Sequence, residues 1–277
     1  MVIGRQMFTG CTMENVAPAV LITSIEEAYE EAVKRLRSVS EEVRGRGGFA
    51  SRKGRYHNVD IMVLKTPIGA PATAIALEEL HRLGARIFVK VDTAFGLQRK
   101  LKPGTLIVPI AAVRGESVSK YYAPPEFPAI PSHKFLQVLD KVVVRGESIE
   151  LYPTVVMSTD IFYTVQMEEY ERWMKLVGAV DMDTATLFTI ARVRGLQAGA
   201  LLVVDSNIWT GPREELWTSE IISENLYKVR EEVIEKLRYA VEIGLEVLVL
   251  LYEYMKSEKA IEKLEREKSG RRGAARL

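Results

Sequence analysis

Short β-branched runs alternate with stretches of helical spacing between residues 17 and 256, and this alternation dominates the pattern of the chain. Ala19–Ile22 reads as a short strand, and Ile25–Val39, with apolar residues three and four apart, as a helix. Val59–Lys65 reads as a buried strand, Thr66–Pro71 as a turn-rich loop, and Ala72–Leu83 as a helix closed by Gly84. Strands are expected at Arg86–Val91, Thr105–Val113, Thr154–Met157 and Gly199–Val204, with helices at 167–176 and 184–194. A long helix over Ser219–Tyr254 follows. Such alternation predicts one α/β domain, a twisted mixed sheet, mainly parallel, flanked by helices. The domain is expected to span residues 1–256, with the charged segment 257–277 as a solvated tail.

In such a sheet, ligands bind beyond the carboxyl ends of the strands. That directs attention to the loops that start near Thr66, Asp92, Asp160 and Asp205.

Composition narrows the function classes. Lys plus Arg number 38 against 37 Asp plus Glu, a net charge of +1, which gives no electrostatic reason to expect a nucleic-acid or membrane partner. One cysteine, Cys11, excludes an internal disulfide, and three scattered histidines offer little for a metal. The apolar run Ala240–Tyr252 is broken by Glu242 and Glu246 and is too short to span a bilayer. A soluble cytoplasmic protein without cofactor is the expectation. Only 4 Asn and 5 Gln beside dense charge of both signs suit a thermophile.

Four segments carry chemistry. In Gly178–Phe188 a short strand delivers Asp181, Met182 and Asp183 to the start of a helix. One acidic residue there is explained by capping and the helix dipole. A carboxylate pair beside a thioether also suits a sugar, with oxygens accepting from vicinal hydroxyls and apolar atoms on the ring. Gly69, in the turn Thr66–Thr73, permits close backbone approach before a helix whose N–H groups face an anion. Lys90-Val-Asp-Thr93 gathers a cation, a carboxylate and a hydroxyl at a strand end. Phe162 and Tyr163, followed by Gln166, could stack on and hydrogen-bond a planar heterocycle, although single aromatics are more often core.

Taken in order, these pieces resemble the nucleoside phosphorylase family, the group of uridine phosphorylases and bacterial-type purine nucleoside phosphorylases. The resemblance covers roughly residues 17–250. Thr66–Leu80, TPIGAPATAIALEEL, is similar to the family's T-x-I-G-x-P-S-x-x-I-x-x-E-E-L. Tyr121–Ala129, YYAPPEFPA, resembles a stretch of the uridine branch, and Val180–Phe188, VDMDTATLF, resembles V-E-M-E-x-A-x-L-F. The resemblance implies nucleoside and phosphate as substrates and a homo-oligomer built from dimers, a hexamer in this group. It implies Asp181, Met182 and Asp183 on ribose, Phe162 on the base and Gln166 hydrogen-bonded to it. Thr93 falls near ribose and phosphate, Lys90 and Gly69 toward phosphate, and Asp205 with Asp183 at the catalytic centre.

The same comparison exposes departures. Both ribose carboxylates are one methylene shorter than the family's Glu residues. Glu27 falls where a phosphate-binding arginine is expected, Lys90 replaces a second arginine, and Asp92 stands where the family has Gly. Glu168 replaces a uridine-branch arginine. Arg46, Arg52 or Arg55 is left to supply a cation from a neighbouring subunit. The purine-type Ser-Asp order is reversed in Asp205-Ser206, which by strand alternation turns the acid to the opposite face. Three functions stay open: a uridine-phosphorylase-like phosphorylase, a hydrolase of the same fold signalled by Glu27 and Asp92, and a non-catalytic nucleoside-binding paralogue.

Overall fold

The computed structural model describes residues 4–145, 150–162, 167–209 and 224–274. Its centre is β1 (Ala19–Thr23), buried at every position because it has parallel neighbours on both sides, β4 (Val59–Lys65) and β5 (Ile87–Gly96). β2 (Val43–Arg44) and β3 (Ala50–Tyr56) extend the sheet antiparallel from β4. On the other side the sheet closes on itself. β5 pairs with β8 (Ala179–Asp181), β8 with β7 (Leu151–Ser158), β7 with β6 (Leu106–Arg114), β6 with β9 (Gln197–Asn207), and β9 returns to β5. The mixed, largely parallel, helix-flanked architecture is the one expected, with a five-stranded ring added.

Apolar side chains of alternate parity fill the two faces. Phe88 and Ala94 of β5 join a core with α2 (Ala70–Arg82) and α5 (Thr184–Arg194), whereas Val89 and Val91 join a second core. The second core packs under α1 (Glu26–Arg35), α3 (His133–Arg145) and the long terminal helix. α4 (Met167–Trp173) precedes β8, and the terminal helix, α6, runs from Glu224 to Ala274. The charged segment expected as a solvated tail thus continues α6 as far as Ala274. Gly199 marks how tightly α3 packs on β9: a Cβ there would sit 2.1 Å from the Phe135 ring. Among the described residues no helix is long and apolar enough to cross a membrane.

Four elements differ from the sequence expectation. β5 runs on from Val91 to Gly96, so Asp92 and Thr93 lie within the strand with Lys90 and not in a loop at its end. The pair β2–β3 and helix α3 have no counterpart in the pattern analysis.

Candidate active site

The pleat of β5 places Lys90 and Asp92 on the same face as Phe88 and Ala94, below the amino ends of α2 and α5. Four other segments of the chain meet there. β8 supplies Asp181, the turn after it supplies Asp183, β7 ends at Ser158, and α2 contributes Thr73.

The two carboxylates after β8 have separate tasks. Asp181 Oδ2 accepts from the Thr184 N–H at 2.9 Å and from the Thr184 hydroxyl, satisfying the start of α5. Its Oδ1 accepts from Ser158 Oγ at 2.6 Å, and the same Ser158 oxygen accepts from the Ala185 N–H at 2.9 Å. Asp183 holds the N-cap position by sequence but makes no side-chain cap bond. Its Oδ2 accepts from Thr73 Oγ1 at 2.5 Å, and its Oδ1 from the Lys90 ammonium. Capping therefore explains Asp181 and leaves Asp183 aimed across the sheet. Met182 between them is half-buried.

Lys90 is the shared partner. Its Nζ donates to Asp181 Oδ2 at 3.1 Å and to Asp183 Oδ1, and lies 3.9 Å from Asp92 Oδ2. Burial by itself would lower the lysine's pKa, but the facing carboxylates of Asp183, Asp181 and Asp92 outweigh it and hold the ammonium above its ordinary range. Burial likewise opposes ionisation of Asp181, yet Lys90 and the donors Ser158 and Thr184 bring that carboxyl below its usual value. Asp183 moves the other way. Burial, with the like charges of Asp181 and Asp92, raises it in spite of Lys90.

Asp92 is fully engaged. Oδ2 accepts from the Ser24 N–H at 2.9 Å, and Oδ1 from Ser24 Oγ at 3.0 Å and from the Thr93 N–H at 2.9 Å. Those bonds tie the turn after β1 to β5. Glu27 lies half-buried in the first turn of α1, where a carboxylate complements the helix dipole.

Gly69 precedes α2 with φ +101°, a backbone that side chains with Cβ rarely adopt, and its carbonyl accepts from Thr73 N at 3.2 Å. Thr93 is buried beside Asp92. Phe162 is 38% exposed at the bend after β7, open enough to meet a ligand. Gln166 lies outside the described residues.

Asp205 corrects the alternation argument. Val204 pairs with Ala94 and Ser206 with Phe95, so Asp205 is an extra residue and simple parity does not assign its face. It is 1% exposed, and its Oδ1 accepts from Ser206 Oγ at 2.8 Å. Sequence reasoning missed Thr73, Ser158, Thr184 and Ser24 as partners. Thr73 and Thr184 stood inside segments already singled out, and only their hydroxyls signalled a role.

A family model described as Phosphorylase superfamily matches residues 18–242. The chain belongs to the phosphorylase superfamily. The superfamily relatives include a guanosine phosphorylase of Halorubrum lacusprofundi, 35% identical over 158 residues, which are 56% of this chain and 65% of that protein. A uridine phosphorylase of Thermococcus kodakarensis is 31% identical over 220 residues, 74% of this chain and 78% of the relative. The match thus spans just under two thirds of the first relative and more than three quarters of the second. Among solved structures, uridine phosphorylase from Vibrio fischeri superimposes with a TM-score of 0.78 at 28% identity, covering 89% of this chain and 97% of that one.

Proposed function

We propose that the chain is a nucleoside phosphorylase of the uridine-phosphorylase type, which cleaves an N-glycosidic bond with phosphate. One observation carries the reading. Asp183 is buried at the amino end of a helix, is spared from capping it, and shares Lys90 with Asp181. A carboxylate so held can accept from the vicinal hydroxyls of ribose, with Met182 against the sugar ring. Phe162 covers the base and Gln166 hydrogen-bonds it.

In the reaction a phosphate oxygen bonds to C1′ as the C1′–N bond breaks, and its electron pair leaves with the base. The base is then protonated, a role assigned here to Asp205. Thr93 and Gly69 serve the phosphate side. Positive charge developing on the ribosyl group is stabilised by the carboxyl groups of Asp181 and Asp183, aimed before the step at no reorganisation cost.

The functional unit is a dimer-based oligomer, a hexamer in this reading. Exposed Met7 and Ile68 support it: Phe8, next to Met7, accepts from the Arg46 N–H at 2.7 Å, and a Cβ on Gly48 would meet Pro67, next to Ile68, so both exposed apolar residues sit on segments that adjoin Arg46–Gly48. Arg52 and Arg55 are engaged with Glu42 and Asp60 in their own chain, which leaves Arg46 as the cation offered to a second copy. The deciding experiment is the initial rate of uracil release from uridine across a phosphate titration. Saturable dependence on phosphate is expected, and a rate independent of phosphate would overturn the reading in favour of hydrolysis.

A further inference from the structure

The carboxylate of Asp92 sits in surroundings that an external oxyanion would choose. Two backbone N–H groups, Ser24 and Thr93, and the Ser24 hydroxyl converge on its oxygens at 2.9–3.0 Å. The Lys90 ammonium is 3.9 Å away. Backbone N–H groups beside a hydroxyl and an ammonium, in a site almost closed to water, form a fixed set of oxyanion donors. Its location is equally telling. In register, Ile22 of β1 opposes Lys90 of β5, so Ser24, just past the carboxyl end of β1, lies level with Asp92 inside the adjacent parallel strand β5. Through Lys90 this cradle adjoins the carboxylates assigned to ribose.

We propose that Asp92 fills this oxyanion cradle with the chain's own carboxylate and thereby sets how much inorganic phosphate the site requires. Phosphate reaches the Ser24 and Thr93 donors only when the Asp92 side chain withdraws, and until then it meets a fixed negative charge. Asp92 is in this sense a specificity-determining residue: it disfavours the anionic acceptor. The inference rests on the phosphorylase reading for the identity of the anion.

The test is calorimetric titration of inorganic phosphate into the full chain, wild type against Asp92→Gly and Asp92→Asn. Asp92→Gly empties the cradle, whereas Asp92→Asn keeps a side chain of the same shape without the charge. Phosphate affinity is expected to rise at least about tenfold in Asp92→Gly, because a like charge at this range is removed from a buried site. A smaller gain is expected in Asp92→Asn. Adding Ser24→Ala to Asp92→Gly should erase most of the gain. Equal phosphate affinity in wild type and in either folded Asp92 variant overturns the inference and leaves Asp92 as a staple between β1 and β5. Should Asp92→Gly fail to fold, Asp92→Asn decides alone. Failure of the phosphorylase reading looks different: base release is absent, or independent of phosphate, in every variant, whatever calorimetry records.

Discussion

The Lys90 ammonium donates to Asp181 Oδ2 at 3.1 Å, and both side chains are buried. A lysine read from sequence as a phosphate ligand thus has the ribose-side carboxylates as its nearest partners. Replacing it strands three buried acids, and loss of one partner of a buried ion pair costs about 3–5 kcal/mol. Lys90→Met is therefore expected to lower thermal stability severely and to weaken nucleoside binding together with phosphate binding. Melting curves and uridine calorimetry check both. A variant with unchanged uridine affinity would return Lys90 to phosphate alone.

Asp181 and Asp183 titrate in opposite senses, and their amide variants should part accordingly. The folded pKa of Asp181 is depressed, so its stabilisation is present above the unfolded value of about 3.9 and is lost as pH falls through the lower folded value. The folded pKa of Asp183 is raised, so its contribution is fullest below about 3.9 and declines as pH rises through the raised value. Asp181→Asn should cost about 1.5–3 kcal/mol at neutral pH, the range for hydrogen bonds to a charged group. Asp183→Asn should cost less, and the difference should narrow toward pH 4. Melting temperatures of both variants between pH 4 and 8 decide it.

Alkaline pH tests Lys90 from the other side. Its folded pKa lies above that of a free lysine, so the stability it confers is intact below about 10.4 and disappears as pH rises through the folded value. Wild type is expected to lose stability above that pH more steeply than Lys90→Met. Parallel alkaline limbs in the two proteins would contradict this.

If Asp183 grips the vicinal diol, Asp183→Ala should weaken ribonucleoside binding by about 1.5–3 kcal/mol. It should affect a 2′-deoxynucleoside less. Equal losses for uridine and deoxyuridine would confine Asp183 to a structural part.

How far these features could be read in advance depended on burial. β4 was legible at both ends because Ile61–Leu64 is a continuous apolar run, with turn residues His57-Asn58 before the strand and Thr66-Pro67 after it. β3 was not, since the sequence ASRKGRY carries charges on a strand whose outer side is only partly covered. α3 was missed because Val142 and Val143 favour strands, while Phe135, Val138 and Leu139 bury a helical face that overrides that preference. β5 appeared to stop at Val91 because Asp92 and Thr93 are polar, and the buried carboxylate of Asp92 is made tolerable by Ser24, Lys90 and the Thr93 N–H. The acid pair after β8 was visible as a motif, but the division of labour between its members was not. That division depends on which carboxylate the Thr184 N–H selects, a matter of turn geometry.

Gly199 gives a check on the packing. An added methyl would collide with Phe135, and overpacking of this kind costs about 1–3 kcal/mol or more. Gly199→Ala should lower the melting temperature, and Gly199→Ala with Phe135→Leu should recover part of the loss.

The return of β9 to β5 also bears on how the chain behaves in a crowded solution. A strand without a neighbour offers its N–H and C=O groups to any passing chain. Ring closure gives β6, β7, β8 and β9 a partner on each side. The open end of the sheet is β2, only two residues long, and the adjoining stretch of β3 is covered where Arg37 bridges Arg55 and the Ser40 N–H donates to Lys53. Among the described residues, little backbone is left on which a foreign strand could template.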